Sequence, residues 1–365
     1  MSMAKPLRER HPWFNLIALA MVVFFQPGCS HFPLPETPLS RIWLNQPEPS
    51  DRFLLPPEGE DVVGKIQVAT AHHNDTLPEI ARYYDLGYEE IVAANPDVDV
   101  WLPGEGTQVV LPTQFMLPDV PREGLVLNLA SMRLFYFPKP EPGKPPEVIT
   151  HPIGIGREGW QTPEGLMKIT QKKVKPAWTV PKSVLKERAA AGDPLPPIVA
   201  SGPDNPLGDF AMRLSDPLYL IHGTNKPYGV GIRISHGCVR LYPEDIERLF
   251  PQVPKGTQVR IINQPYVAGL HKGQLYLEVH QPLAEQAKRL GKSLKPMKIA
   301  VTKKATSVVN WDQAKKVTRE SKGIPFPISP GSPDVAEVLR NATRVPSNPP
   351  WAVPGNVERP EKNQF

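Results

Sequence analysis

Proline sets the first limit on this chain. It occurs 47 times in 365 residues. Each proline removes a backbone N–H and fixes φ, so long helices and central strands are disfavoured wherever prolines cluster. With 26 glycines, Pro and Gly make up a fifth of the sequence. The expectation is turn-rich β structure joined by Pro-rich linkers. There is no G-X-Y period, so a collagen helix is excluded. Hydrophobic residues make up 40% of the chain, enough for a core. The length allows two or three domains. Cys29 and Cys238 are too few and too far apart for a disulfide framework or a four-thiolate zinc site. The formal charge of +5 is modest and not concentrated, so no nucleic-acid partner is expected.

Residues 1–28 have the pattern of an export signal. Lys5, Arg8 and Arg10 precede an apolar stretch that is too short to span a bilayer comfortably. Gln26-Pro27-Gly28-Cys29-Ser30 follows and resembles a bacterial lipoprotein processing site, although Gln26 and Pro27 depart from the usual pattern. Either Cys29 becomes a lipidated first residue, or ordinary cleavage leaves it a bystander. Both imply export. Residues 29–63 are Pro-rich without useful periodicity and are predicted to be an extended spacer.

Residues 64–113 change character. Ile66, Val68 and Thr70 alternate as a short strand. Asp75 or Thr76 can cap a helix that has Pro78 and Glu79 in its first turn. Gly87 stops it, a second short helix spans 88–94, and Asn95-Pro96 ends that one. A turn and a strand over 108–112 complete a β-α-α-β order. The strings NDTLPEIARYYDLGYEEIVAANP and LPGEGTQVVLP resemble a LysM module. The resemblance implies affinity for N-acetylglucosamine-containing glycan, with a ligand-free packing domain as the alternative.

Residues 121–265 read as strand-rich. A hairpin over 125–129 and 132–137 turns at Ala130-Ser131. Further strands are expected over 148–155, after the turn Thr162-Pro163-Glu164-Gly165, and over 253–262. A proline-laden excursion at 181–209 carries one short helix. Residues 266–320 suggest a small α+β C-terminal segment with a strand pair and two helices. Residues 321–365 are again Pro-rich and read as mostly disordered.

The chemistry concentrates in one stretch, from Ile221-His222-Gly223 to Ser235-His236-Gly237-Cys238-Val239-Arg240. Cys238 is the one cysteine of the expected folded region, and an exported unpaired thiol is exposed to oxidation. A thiolate is a nucleophile and needs a base or cation to form near neutral pH. His222 and His236 lie close in sequence. The flanking glycines let the backbone turn and present amides to an oxyanion. An inert buried cysteine is the bland alternative. A zinc site would want a fourth ligand, and spacing suggests none.

The string IHGTNKPYGVGIRISHGCVRL resembles the active-site signature of the L,D-transpeptidase (YkuD) catalytic domain. TPEG at 162–165 and GIG at 154–156 fit the same family. With the LysM-like module before it and YLEVHQPL at 276–283 after it, the arrangement is similar to the ErfK/YbiS group over about residues 64–320. The implied architecture is multi-domain: the βααβ LysM module, a mainly β, β-sandwich-like catalytic domain, and the C-terminal segment. Arg240 stands where some family members carry Asn, and the ErfK-like group has Arg.

The resemblance implies roles residue by residue. Cys238 would be the nucleophile and His222 the general base, paired as thiolate and imidazolium. The carbonyl of Gly223 would orient the imidazole. His236 and Gly237 would shape the loop, with the Gly237 and Cys238 amides as oxyanion donors and Ser235 as a turn hydroxyl. Arg240 would take a substrate carboxylate or form a structural salt bridge. Tyr219 and Trp160 would line the cleft or pack in the core. Cys238 would attack the carbonyl between meso-diaminopimelate and D-Ala of a peptidoglycan tetrapeptide stem, and an amine would then resolve the thioester. A second stem gives a 3→3 crosslink, a lysine of an outer-membrane lipoprotein gives wall attachment, and water gives hydrolysis. Carbapenems would be covalent inhibitors, no cofactor or metal is needed, and the location would be the periplasm of a Gram-negative bacterium. A non-catalytic wall anchor and a hydrolase of wall-linked protein are the competing readings.

Overall fold

The computed structural model describes residues 51–345. The expected export signal, Cys29, the first part of the spacer and the last part of the tail lie outside the described residues.

Apolar strand sequences with little polar alternation build a sheet covered on both faces. Arg133–Phe137 is buried at every position, and Glu147–Pro152 at all but its first. Nine strands form one continuous sheet. Their order is Arg52–Leu54, Glu147–Pro152, Arg133–Phe137, Gly124–Asn128, Gln258–Ile262, Gly165–Val174, Phe210–Leu214, Leu220–His222 and Val239–Arg240. The expected hairpin is present, with Gly124 opposite Phe137 and Asn128 opposite Arg133. Most neighbours are antiparallel, and Gln258–Ile262 runs parallel to Gly124–Asn128. The domain is mainly β, as expected. Gly165–Val174 joins the two halves of the nine-stranded sheet, and Ile155–Gly156 with Arg233–Ser235 and Trp178–Thr179 with Ile198–Val199 form two further small pairs. Residues 165–168 of the strand Gly165–Val174 pair with Gln258–Ile262. Beyond an irregularity at Ile169/Gln171 it pairs with Phe210–Leu214. One core cluster joins Leu125, Leu134 and Ile149 to Met212, Ile221 and Val239, and adds Ile246 and Leu249 of the helix Pro243–Gln252.

The β-α-α-β order is found at Gln67–Thr70, Leu77–Tyr83, Tyr88–Ala94 and Gln108–Leu111. Thr76 caps the first helix in a reciprocal box with Glu79. Asp75 instead accepts from the His72 amide at 2.7 Å. Asn95 ties the second helix to the closing strand: its Nδ2 donates to the Ile91 and Val110 carbonyls, and its Oδ1 accepts from the Val110 amide. Leu77, Ile91 and Leu111 share a core cluster with Val126, Phe135 and Val148 of the large sheet. The small unit is therefore packed onto the sheet through a common core.

Two expectations are corrected. The spacer does not extend to residue 63: Arg52–Leu54 is a strand of the large sheet, and Val62–Gly64 pairs with Gln114–Met116. Phe53 stacks edge-on against Phe115 with centroids 6.0 Å apart, so apolar burial overrides the proline content there. The loose tail does not begin at 321. Phe326–Pro327 joins the strand pair Tyr266–His271 and Gln274–Val279 as a third strand. Val335–Arg340 is helical, and Thr343–Arg344 lies parallel to Gln67–Thr70, extending the small unit's sheet.

The helices Pro243–Gln252 and Lys295–Lys304 were not expected. Both have proline in the first turn, where the missing N–H costs nothing because those amides have no intrahelical partner. The expected helices near 283–290 and 307–319 are found at Ala284–Leu290 and Trp311–Glu320.

Candidate active site

The site lies at the end of the large sheet. Leu220–His222 and Val239–Arg240 run parallel, with Ile221 opposite Val239 and His222 opposite Arg240. Cys238 immediately precedes the second strand, so the pairing brings the two ends of the sequence signature side by side. Cys238 is half-buried, whereas His222 is buried.

His222 Nδ1 lies 2.6 Å from the Gly223 carbonyl oxygen. A carbonyl only accepts, so Nδ1 carries the proton and Nε2 is left with a free lone pair, the form a general base needs. Burial, and after it the Arg240 charge, pulls the imidazole pKa down to about 3, while the backbone carbonyls of Gly223 and Leu207 act the other way. Burial pushes the Cys238 thiol up, opposed by a Leu220 backbone contact and by the charges of Arg240 and Arg213. The Cys238 sulfur sits 3.7 Å from the Leu218 carbonyl. Among the described residues no hydrogen bond joins Sγ to the imidazole. Both directions oppose charge on the two groups at rest.

Arg240 is positioned by a backbone bridge, exchanging N–H···O bonds of 2.9 Å with Gly154 in both directions. Burial lowers its pKa and the neighbouring Cys238 opposes this. It forms no salt bridge among the described residues, and its Nε is buried without a partner. The structural salt bridge weighed for it is not found there.

The loop between the two strands is held by hydroxyls. Ser235 Oγ donates to the Cys238 carbonyl at 2.6 Å and accepts from the Gly237 amide at 3.1 Å. The Gly237 amide is thus already engaged by a hydroxyl, whereas among the described residues no hydrogen bond is found for the Cys238 amide. Gly237 has φ +102, and a Cβ there would lie 2.7 Å from Tyr219 Cε1, so glycine is required at this turn. Thr162 Oγ1 donates to the Gly237 carbonyl at 2.9 Å and accepts from the Gly156 amide at 3.0 Å. The TPEG and GIG strings thus meet beneath the nucleophile loop.

His236 points away from the thiol chemistry. Its Nε2 lies 3.1 Å from Glu187 Oε2 and 3.3 Å from Arg157 Nη2. Its ring meets Trp160 edge-on at 4.8 Å. Trp160 and Tyr219 therefore both back the loop. Thr162, Arg157 and Glu187 were not singled out from sequence. A threonine or glutamate far along the chain gives no local signal, and only the TPEG motif marked one of them.

The comparisons agree with this geometry. The profile of the YkuD family, the L,D-transpeptidase catalytic domain, matches residues 122–261. The probable L,D-transpeptidase YbiS of Escherichia coli K12 is 42% identical over 270 residues, covering 73% of this chain and 86% of its own. The probable L,D-transpeptidase ErfK/SrfK of the same strain is 38% identical over 289 residues, covering 77% and 91%. The probable L,D-transpeptidase YcfS is 41% identical over 249 residues, covering 67% and 77%. A mainly β fold carrying this signature, with these relatives, defines an L,D-transpeptidase catalytic domain. The chain belongs to the L,D-transpeptidase family of YkuD catalytic domains.

Proposed function

We propose that the protein is a peptidoglycan L,D-transpeptidase that works through a Cys238 acyl-enzyme. The observation that carries this reading is the His222 ring, fixed by Gly223 with its Nε2 lone pair free, on the strand beside the one that follows Cys238. Substrate entering the cleft draws the thiol proton to His222, and Cys238 attacks the carbonyl between meso-diaminopimelate and D-Ala. The bond to D-Ala breaks, and the imidazolium returns its proton to the departing amine. The Cys238 amide stabilises the oxyanion. Arg240, half-buried and without an acidic partner among the described residues, receives a substrate carboxylate.

An amine then resolves the thioester. The acceptor we favour is a lysine of an outer-membrane protein, with a second stem giving a 3→3 crosslink. The small β-α-α-β unit acts as a LysM glycan-binding module that keeps the enzyme on the wall. The protein works in the periplasm after export, and Cys29 serves as a lipid attachment point.

Incubation with a carbapenem is expected to add one drug mass to the intact protein, and Cys238→Ala to abolish the adduct without unfolding the chain. Folded wild-type protein that stays unmodified would overturn the nucleophile assignment. Muropeptide analysis with and without a lysine-bearing acceptor peptide reads acceptor choice directly.

A further inference from the structure

The excursion over 181–209 has a built base. Trp178–Thr179 and Ile198–Val199 close it as a two-stranded antiparallel pair. Behind this pair sits Asn205, only 1% exposed. Its Nδ2 donates to the carbonyls of Pro176 at 2.9 Å, Ala200 at 2.9 Å and Val199 at 3.3 Å. Its Oδ1 accepts from the Leu207 amide at 2.9 Å, and its backbone carbonyl accepts from the Gly208 amide at 3.0 Å. One side chain therefore joins both strands of the base to the turn at 205–208.

That turn lies against the backbone following the catalytic histidine. Gly208 has φ +64, and a Cβ there would come 2.8 Å from the Thr224 amide nitrogen and 3.1 Å from the Gly223 carbonyl carbon. The consequence appears at His222. The Gly223 carbonyl lies 2.6 Å from its Nδ1, and the Leu207 carbonyl oxygen is 3.5 Å from where a Cβ on Gly223 would sit. The peptide that orients the imidazole is therefore packed against the turn that Asn205 braces.

We propose that Asn205 is a positioning residue for His222, holding the 205–208 turn against Gly223, whose carbonyl orients the imidazole, and so coupling the excursion to the catalytic base. The inference rests on the reading of His222 as that base. When Cys238 gives up its proton, the imidazole becomes a cation in a buried site beside Arg240. A carbonyl oxygen already aimed at Nδ1 stabilises that cation without reorganising. Asn205 touches no reacting atom, so its loss should slow proton transfer and leave ligand affinity in place.

The test uses the full chain with Asn205→Ala, and Gly208→Ala as a second variant that leaves Asn205 intact but pushes the turn off Gly223. Carbapenem acylation is followed at saturating drug. The limiting rate constant is expected to fall at least about tenfold, with the apparent dissociation constant within about twofold. In a Cys238→Ala background, 15N spectroscopy of the His222 ring should show loss of the pure Nδ1–H tautomer. An unchanged rate constant and ring spectrum in a folded variant overturn the proposal, as does a change confined to affinity. If the wild type is not acylated at all, the reading of the nucleophile and base fails. The ring spectra then still decide whether Asn205 positions His222.

Discussion

The loop at Cys238 and the charge cluster beneath the small unit are both polar and tightly held, yet they are held by different means. The backbone of the loop is held by hydroxyls: Ser235 bonds across three residues to the Cys238 carbonyl, and Thr162 reaches across 75 residues to the Gly237 carbonyl, while His222 bonds to its own neighbour. The cluster uses charges from distant segments. Arg133, 1% exposed, clamps Glu90 with bonds of 2.6 and 2.8 Å across 43 residues and also donates to the Asp85 carbonyl. His151 Nδ1 lies 3.1 Å from Asp85 and 3.7 Å from Asp245, while Arg248 lies 2.8 Å from Asp245. The loop keeps a reactive thiol partly open. The cluster joins the small unit, the sheet and the helix that follows the loop. Reactivity and cohesion are thus assigned to separate places.

If this division is correct, the two regions should fail in different ways. Removing one member of the Arg133–Glu90 pair leaves a buried charge alone. Arg133→Met should cost about 3–5 kcal/mol in denaturant unfolding. The double variant Arg133→Met with Glu90→Leu should recover most of that loss, because two apolar groups replace a pair whose desolvation was already expensive. The acylation rate of the remaining folded protein should stay near wild type. A large loss of acylation at unchanged stability would break the comparison.

Proton occupancy separates the regions further. Burial raises Asp85 to about 8 and Asp245 well above the usual carboxylate range. Burial lowers His151. Because the folded-state pKa of Asp85 exceeds its unfolded value of about 3.9, the folded protein holds this proton more tightly than the unfolded chain. The stabilisation is complete below the unfolded pKa and is lost as pH rises through about 8. Stability should therefore fall between about pH 4 and pH 8, with a slope of up to about 1.4 kcal/mol per pH unit from this group. Asp85→Asn should remove this group's share of the slope across that window, up to about 1.4 kcal/mol per pH unit. Thermal melts at several pH values check this, and an unaltered slope in the variant would show that Asp85 does not hold the proton.

The same contrast explains what could be read from the chain. Cys238 and His222 lie within one glycine-punctuated stretch, so residue type and spacing marked them as candidates, and the family resemblance supplied their expected roles. The first helix of the small unit was legible because Thr76 and Glu79 form its cap three residues apart. The Arg133–Glu90 clamp was not legible, since either residue alone reads as solvated surface. Nor was the engagement of the Gly237 amide, which depends on where the Ser235 hydroxyl turns. Proline misled in one direction. Pro243 and Pro296 open helices from the first turn, and the segment around Pro327 is a sheet strand at the edge of its three-stranded sheet, a place open to proline.

The smallest expected effect tests the neutral side of the comparison. Thr162 Oγ1 bridges the Gly156 amide and the Gly237 carbonyl with bonds of 3.0 and 2.9 Å. Thr162 is buried at 5% exposure, so water does not readily replace the hydroxyl. Thr162→Val keeps the volume and removes both bonds. The stability cost should be about 1–2 kcal/mol, that of leaving buried neutral polar groups unpaired. The carbonyl it holds belongs to the residue before Cys238, so the acylation rate should fall by more than the stability change would suggest, with drug affinity retained. In Arg133→Met the order is reversed, with a large stability loss and little change in acylation. Measuring both quantities in both variants places each residue on its side of the division. A Thr162→Val protein with normal acylation would show that Ser235 alone sets the loop.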